Sequence, residues 1–427
     1  MRPSRARHVV VGWTLAVAAI AYLDRICIST AAPAIRAEFG LSDAEMGLVF
    51  SAFTLAYALF EIPSGRFADR FGPRLTLARI VVWWSALTAA TGLARGFLSL
   101  LVLRFLFGLG EAGMFPATAR AFACWLPAAE RGRAFGLAIM TGALGGALSQ
   151  PLVVALLGHT TWRVAFMLFG AVGLVWAIGW WWWFRDDPAD HSAVDEAELR
   201  LIVAGRGPLP HAETVPWRLF LRHRTLLALC LMYVAAIYGW YFYLTWLPTY
   251  LLRARGFDLA NVGMLAALPL VAIAAGVFTG GWASDRLSQR LGARRGRRIT
   301  GLIGFPLAAA AIVAAVLTPR PIASAWLLAA AAGLAALGIA PAWAVAVQIG
   351  GSHAGVVTGA MNMCGNLGGA LSPIVVGVSL SRLGSWEAPL FTMAAMYLVA
   401  AAAWWAIDAE ERPWLDAPAE PASRAAS

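Results

Sequence analysis

Long apolar runs recur along the whole chain, and they restrict its fold more than any other feature of the sequence. A helix needs about 20 apolar residues to cross the hydrocarbon core of a bilayer, and the runs have about that length. The sequence therefore predicts an all-α membrane protein with about twelve transmembrane helices. The predicted spans are 9–31, 45–66, 75–94, 97–121, 133–157, 162–184, 224–250, 260–284, 300–318, 321–347, 355–380 and 389–407.

The composition requires lipid as part of the solvent. Of the 427 residues, 60% are hydrophobic and 13% are charged. A soluble domain has about 45–50% apolar residues and about 25% charged ones. The sequence has no Gly-x-x-x-x-Gly-Lys motif for binding ATP phosphates. We therefore expect a transporter driven by an ion gradient or by the gradient of its substrate, with no enzyme activity, cofactor or metal.

The basic residues, all 33 of which are arginines, predict the orientation in the membrane. Cytoplasmic loops carry an excess of such residues. With the N-terminus inside, 24 arginines fall in cytoplasmic segments, 7 in outside loops and 2 within the bilayer. This split predicts a multi-pass protein of the cell inner (plasma) membrane with both termini cytoplasmic. The net charge of +10 does not indicate nucleic-acid binding, which needs a continuous basic face.

One long polar interval separates two groups of six predicted spans. Paired halves are typical of transporters that rock about a central site. We expect two pseudo-symmetric six-helix halves, and we expect the protein to function as a monomer. The predicted division is an N-terminal half at 1–184, a central cytoplasmic loop at 185–223, a C-terminal half at 224–407 and a disordered cytoplasmic tail at 408–427.

A Gly-x-x-x-Asp-Arg motif follows both the second and the eighth predicted span, and the two copies begin 216 residues apart. Its glycines allow close helix packing and a sharp turn, and its aspartate suits a neighbouring helix N-terminus, where an anion is favoured. We predict a gate that holds the cytoplasmic side shut in one state. The alternative is an anchor that only fixes the orientation. The predicted gating residues are Gly65, Asp69, Arg70, Gly72, Arg74, Asp285 and Arg286.

Four ionisable residues lie within predicted spans of the first half, where such residues are costly enough to indicate function. Arg104, Gly108 and Glu111 recur at i, i+4 and i+7 and so share a helix face. A carboxylate that moves between an apolar site and an arginine changes its affinity for protons. We therefore predict proton coupling at Glu111 and Arg104. The alternative is a fixed Arg–Glu bridge that only holds helices together.

Asp24 and Arg25 are adjacent, so their side chains point about 100° apart on a helix. If Arg25 faces a central cavity, its planar guanidinium suits a substrate carboxylate. Asp24 would then lie between helices as a second proton carrier. The alternative is a local charge pair at the membrane edge.

Four uncharged polar residues are predicted to help bind the substrate. Tyr22 lies beside Asp24, Tyr57 lies in an apolar span, and Asn362 and Asn366 share a helix face at i, i+4. Each can donate a hydrogen bond to an anion. Bonds to backbone carbonyls or between helices are the alternative.

The segment 65–74 resembles the loop signature of the major facilitator superfamily. Three further segments resemble the anion:cation symporter branch of that superfamily, and Trp-Arg at 162–163 also does. They are Tyr-Leu-Asp-Arg at 22–25, Arg-Phe-Leu-Phe-Gly-Leu-Gly-Glu at 104–111 and Tyr-Phe-Tyr-Leu-Thr-Trp-Leu-Pro-Thr-Tyr-Leu at 241–251. The resemblance extends to about residue 407.

The resemblance implies a fold of twelve helices in two halves and the transport of an organic acid anion. It also implies that Arg25, Tyr57 and Asn366 bind the substrate, that Asp24 and Glu111 take protons, and that Arg104 tunes Glu111. Carriers of this branch transport sugar acids, aromatic acids or short aliphatic acids. Sugar-acid carriers often have a glutamine early in span five, where this chain has Gly142-Ala-Leu. This difference counts against a sugar acid and leaves aromatic and short aliphatic acids open.

The predicted function is secondary active import of a small organic acid anion in symport with protons, by alternating access. A proton-driven antiporter that exports drugs or metabolites is the alternative. The segment 142–151 has glycines but not the Gly-Pro-x-x-Gly-Gly order of superfamily exporters, which counts against export. A membrane receptor or scaffold is a third class, which would not need four buried ionisable residues.

Overall fold

The computed structural model describes residues 4–205 and 222–411, apart from the side chains of Asp69 and Ser352. Nearly all of these residues are helical, and no strand occurs among them. Residues 412–427 of the predicted disordered tail lie outside the described ranges. The helices are α1 (Ala6–Phe39), α2 (Asp43–Thr91), α3 (Phe97–Glu111), α4 (Met114–Trp125), α5 (Ala128–His159), α6 (Trp162–Trp183), α7 (Glu196–Gly205), α8 (Arg224–Thr245), α9 (Leu247–Arg253), α10 (Leu259–Leu291), α11 (Ala293–Leu317), α12 (Pro321–Ala336), α13 (Ile339–Gly350), α14 (Ala354–Leu383) and α15 (Glu387–Ala406).

Eleven helical segments of the described ranges are long and apolar enough to cross a membrane, in agreement with the predicted all-α membrane protein. The predicted third span, 75–94, is not among them. It forms the second part of α2, which continues past a non-helical Gly72 (φ 76°, ψ 160°). Arg74 and Arg79 lower the hydropathy of this part. The count of twelve spans therefore stays a prediction.

The helices alternate in direction between two sides of the molecule. The side on which α1 begins is called the terminal side here, and the opposite side is called the far side. The Gly72 turn, the α4–α5 link and the segment between α6 and α8 lie on the terminal side. The α1–α2 link at Gly40 and the α14–α15 link at Gly384 lie on the far side.

Helices α1–α6 pack mainly on one another, as do α8–α15. Besides small contacts of α1 with α8 and α9, two large contacts join the groups. One runs between α2 and α14, and the other runs between α5 and α10. At its far end, α2 meets α14 at backbone distance. A Cβ atom on Gly47 would lie 2.4 Å from the Pro373 carbonyl oxygen, and one on Gly377 would lie 2.4 Å from that of Asp43.

Hydrogen bonds and ion pairs close the same far side. The Asp43 carboxylate pairs with Arg36 of α1 at 2.7 Å and with Arg253 of α9 at 2.6 Å. The Ala44 amide donates to the Ser381 hydroxyl at 3.0 Å. These bonds connect the two groups of helices, so the far side is closed in this conformation.

The acidic segment of the central loop forms helix α7, which holds the start of α1. The buried Glu198 carboxylate accepts hydrogen bonds from the amides of Ala6 (3.0 Å) and Arg7 (3.2 Å). It also pairs with the Arg7 guanidinium at 2.9 Å. These amides belong to the first turn of α1, where backbone N–H groups lack partners within the helix and an anion is favoured.

Small residues let α2 and α3 approach closely near the predicted charged residues. A Cβ atom on Gly108 would lie 2.1 Å from the Phe53 carbonyl oxygen. Gly108 therefore permits α2 to pack beside Arg104 and Glu111 on α3. Helix α3 ends at Glu111, and α4 begins three residues later at Met114, so a break within the membrane follows this carboxylate directly.

We expect Gly108→Ala to destabilise the protein, because the added methyl overlaps the backbone of α2. Such overpacking typically costs about 1–3 kcal/mol. Thermal unfolding of the detergent-purified variant should show a lower midpoint than wild type. Gly12→Ala in α1 is the matched control, because a Cβ atom there meets nothing within 4 Å. Equal midpoints for the two variants would contradict this account of the packing.

Candidate functional site

A cavity of about 340 Å³ lies between the two groups of helices. Its wall includes Phe135 near the start of α5 and Asn362 near the start of α14, and both helices begin on the terminal side. The cavity is therefore on the terminal side of the closed far-side contacts. Five of the predicted site residues line it, namely Tyr22, Arg25, Tyr57, Asn362 and Asn366.

Arg25 presents its guanidinium at the cavity wall within an aromatic cage. The guanidinium carbon lies 5.1 Å from the ring centre of Tyr22, 4.9 Å from that of Phe53 and 5.0 Å from that of Tyr57. A cation over an aromatic face is stabilised electrostatically, more so away from water. The same guanidinium forms a hydrogen-bonded ion pair with Glu111 of α3.

Asp24 lies on the other side of α1, as the 100° step between adjacent residues predicts. Its side chain is fully buried and does not line the cavity. It lies against Trp84 of α2, within electrostatic range of Glu111 and Arg104. The structure thus separates the two adjacent residues into a cavity position and an interhelical position.

Arg104 and Glu111 share a face of α3, but they are not ion-paired in this conformation. Glu111 pairs with Arg25, whereas the Arg104 guanidinium stacks over Phe53 at 5.0 Å and Phe107 at 4.6 Å. Residues at i and i+7 are about 10 Å apart along a helix. They can face the same way without touching, and Arg25 from α1 lies nearer to Glu111. A fixed bridge between Arg104 and Glu111 is therefore not what this conformation contains.

The two predicted asparagines belong to one hydrogen-bonded chain on the cavity wall. Asn366 accepts from the Tyr241 hydroxyl at 3.2 Å and donates to the Asn362 carbonyl at 3.1 Å. Asn362 donates to the Glu61 carboxylate at 2.6 Å. The last bond crosses from α14 to α2 and so joins the two groups of helices beside the cavity.

Helix α8 supplies three aromatic residues to the cavity wall. They are Tyr233, Trp240 and Tyr241, whereas Tyr238 and Tyr243 do not line the cavity. The Tyr233 hydroxyl accepts a hydrogen bond of 3.0 Å from the Trp343 indole of α13. Their spacing on the helix brings only one side of α8 to the cavity.

Glu61 is the main residue that sequence reasoning missed. The prediction of four ionisable residues within the spans of the first half is wrong, because Glu61 also lies within a predicted span and lines the cavity. It is a carboxylate within the predicted second span, two residues before Pro63. The criterion that identified Asp24 and Glu111, a charge inside a span, would have found it.

The predicted gating residues lie in two places on the terminal side, around the Gly72 turn of α2 and in the last part of helix α10. Gly72 has a positive φ of 76°, and a Cβ atom there would lie 2.8 Å from the Asp186 carboxylate. The turn therefore requires a glycine. At Gly65 an added Cβ atom would make only ordinary contacts, with Pro116 at 3.6 Å, so this conformation does not require a glycine there.

Asp186, rather than Asp69, is the aspartate observed at a helix N-terminus in this turn. Its carboxylate accepts a hydrogen bond of 2.9 Å from the Arg74 amide, at the start of the second part of α2. Burial raises the pKa of the Asp186 carboxyl from its ordinary value, and Arg74 opposes the shift. Arg74 also donates to the Trp181 carbonyl at 2.7 Å. The Asp69 side chain lies outside the described part of the structure.

The remaining gating residues make few polar contacts. The guanidinium of Arg70 lies 5.2 Å from the Phe71 ring centre, and that of Arg286 lies 5.0 Å from that of Trp282. Asp285 is exposed and lies within electrostatic range of Arg297.

Comparisons with known proteins find relatives that are named as transporters of organic acids. The probable sulfoacetate transporter of Cupriavidus necator is 38% identical over 404 residues, which are 93% of each chain. The hexuronate transporter of Bacillus subtilis is 31% identical and covers 90% of each chain. The D-galactonate transporter of Escherichia coli is 31% identical and covers 94% of each chain.

The fold also matches a solved structure. A bacterial homologue of the human lysosomal transporter Spinster, in an inward-facing and unoccupied conformation, superimposes with a TM-score of 0.75 at 21% identity. The match covers 94% of this chain and 96% of that one. The family model of the Major Facilitator Superfamily matches residues 14–373. The chain is a multi-pass, non-enzymatic transport protein and belongs to the Major Facilitator Superfamily.

Proposed function

We propose that this protein imports a small organic acid anion in symport with protons, by alternating access. The named substrates of its relatives, sulfoacetate, hexuronate and galactonate, all carry an acidic group and support this class. The substrate is a sugar acid or an aromatic or short aliphatic acid. The protein acts as a monomer in the inner membrane with both termini in the cytoplasm, so the terminal side is the cytoplasmic side.

The buried ion pair between Arg25 and Glu111 is the observation that carries the proposal. Arg25 is the cation of the cavity wall, and Glu111 lies behind it with no exposed surface. An incoming carboxylate or sulfonate would bind the Arg25 guanidinium through two hydrogen bonds, with Tyr22, Tyr57, Asn362 and Asn366 as further donors. It would therefore compete with Glu111 for the same donor atoms.

This competition couples substrate to protons. Removing one partner from a buried ion pair costs about 3–5 kcal/mol, because the other charge is left uncompensated. Each pH unit corresponds to about 1.4 kcal/mol of proton binding. Protonation of Glu111 thus removes a free-energy cost that is larger than the free energy of proton binding per pH unit. Substrate binding favours protonation of Glu111, and protonation of Glu111 frees Arg25 for the substrate.

Asp24 and Arg104 form the second part of the coupling mechanism. Asp24 is fully buried and has Trp84, Glu111 and Arg104 as its polar neighbours. When Glu111 gains a proton, the charge balance around Asp24 changes, because the two carboxylates repel each other when both are ionised. Asp24 is therefore the second proton carrier, and Arg104 adjusts both acids from its stacked position on Phe53 and Phe107.

Alternating access requires the closed and open sides to exchange. In this conformation Asp43, Arg36 and Arg253 hold the far side together, and the cavity lies toward the terminal side. The proposed gate residues at 65–74 and 281–286 lie at that terminal side. In the opposite conformation they would close it, while the far-side ion pairs separate.

Glu111→Gln should abolish accumulation of substrate driven by a pH gradient while substrate exchange remains, because a neutral amide at 111 leaves Arg25 permanently available. Proteoliposomes loaded with labelled or unlabelled acid separate the two activities. Concentrative uptake by Glu111→Gln at the wild-type level would remove Glu111 from the coupling mechanism. Movement of the acid out against its gradient, driven by inward proton flow, would instead support the exporter alternative.

Arg25→Lys should weaken binding of the anion by about tenfold or more, because an ammonium keeps the charge but lacks the planar pair of donors. Arg25→Ala should remove binding. Isothermal titration of purified protein with the acid measures both. Arg255→Lys is a control, because Arg255 bonds to Tyr250 and to backbone carbonyls at the C-terminal end of α11, away from the cavity. Wild-type affinity in Arg25→Lys would place anion recognition elsewhere.

A further inference from the structure

Glu61 gives the cavity a second charged position that the coupling mechanism does not use. Its side chain is 8% exposed and lines the cavity. One carboxylate oxygen accepts the 2.6 Å hydrogen bond from Asn362, and the other accepts none from any described donor. Within the described ranges Glu61 forms no ion pair, and Arg25 is the charged residue that acts on it across the cavity.

The two charges lie at different levels of the same wall. Glu61 follows Tyr57 by one helical turn of α2, which is about 6 Å toward the terminal side. The Arg25 guanidinium lies 5.0 Å from the Tyr57 ring centre. The cavity is therefore positive beside Tyr57 and negative one turn beyond it, a separation that a compound of a few carbon atoms can bridge.

The environment of Glu61 favours a ligand that brings its own donor. The Asn362 side-chain amide donates to one oxygen of the Glu61 carboxylate, and the Trp343 indole donates to Tyr233 rather than to Glu61. A buried carboxylate oxygen without a donor is costly. A ligand donor at this position would remove the cost, whereas a second anionic group would face Glu61 and be repelled.

We propose that the cavity selects short organic anions with a hydrogen-bond donor at the opposite end, an ammonium in preference to a hydroxyl, over anions with a second acidic group. The proposal rests on the proposed function, because the anionic end is held by Arg25. It adds that Glu61 determines specificity. It also sets this protein apart from its relative named for sulfoacetate, whose substrate has two acidic groups.

Four two-carbon sulfonates that differ only at the far end test the proposal. They are 2-aminoethanesulfonate, 2-hydroxyethanesulfonate, ethanesulfonate and sulfoacetate. Isothermal titration of the purified full-length protein gives their dissociation constants, and the corresponding carboxylates are titrated in parallel. Hydrogen bonds to charged groups change affinity by about tenfold to a hundredfold. We expect the amino compound to bind at least about tenfold more tightly than ethanesulfonate, and sulfoacetate to bind more weakly than ethanesulfonate.

The Glu61→Gln variant tests the residue. Ratios of dissociation constants within each protein cancel any general loss of affinity. In the variant we expect the advantage of the amino compound to fall to within about threefold and the penalty on sulfoacetate to disappear, because a neutral amide neither attracts an ammonium nor repels an acid. If the variant does not fold, the wild-type ranking decides.

The outcomes separate this proposal from the proposed function. Equal affinity for all four sulfonates, tightest binding of sulfoacetate, or identical ratios in wild type and Glu61→Gln would each overturn the role of Glu61. Organic anion binding at Arg25 would stand in those cases. No binding by any sulfonate or carboxylate would overturn both.

Discussion

The buried ion pair between Arg25 and Glu111 is the interaction on which the proposed transport mechanism depends. Two opposite charges from α1 and α3 are held away from water, and such a pair is stable only while both partners are present. Phe53, Tyr22 and Tyr57 surround the guanidinium and keep it at the cavity wall. In the proposed mechanism a substrate anion binds Arg25 by replacing Glu111, which would make proton binding and substrate binding one event.

The surrounding helices make this arrangement possible. Gly108 lets the backbone of α2 approach α3, so that Phe53 reaches both Arg25 and Arg104. Glu111 is the last residue of α3, and the helix is interrupted directly after it, where α2 packs on both α3 and α4. On the far side, Asp43 joins three helices through two arginines, which leaves the cavity toward the terminal side. Helix α2 thus contacts the charged site through Phe53 and the closed far side through Asp43.

Much of the fold and part of the site could be predicted from the sequence, because the length of the apolar runs and the helical period determine them. Apolar runs give the membrane helices, and the 100° step between Asp24 and Arg25 gives one cavity residue and one interhelical residue. Which charges meet could not be predicted, since Arg25 and Glu111 are 86 residues apart and pair only after α1 packs near α3. Asp186 at the Gly72 turn is likewise a tertiary contact. Glu61 is different, because its charge within a span was visible in the sequence.

Proton uptake on ligand binding tests the central claim most directly. Purified protein in weakly buffered detergent solution near neutral pH is mixed with saturating propionate or ethanesulfonate, and a pH indicator records released or bound protons. The exchange of Glu111 for substrate at Arg25 predicts uptake of about one proton per bound anion, and none in Glu111→Gln. Saturable binding of the anion without proton uptake by the wild-type protein would contradict the coupling of the two events.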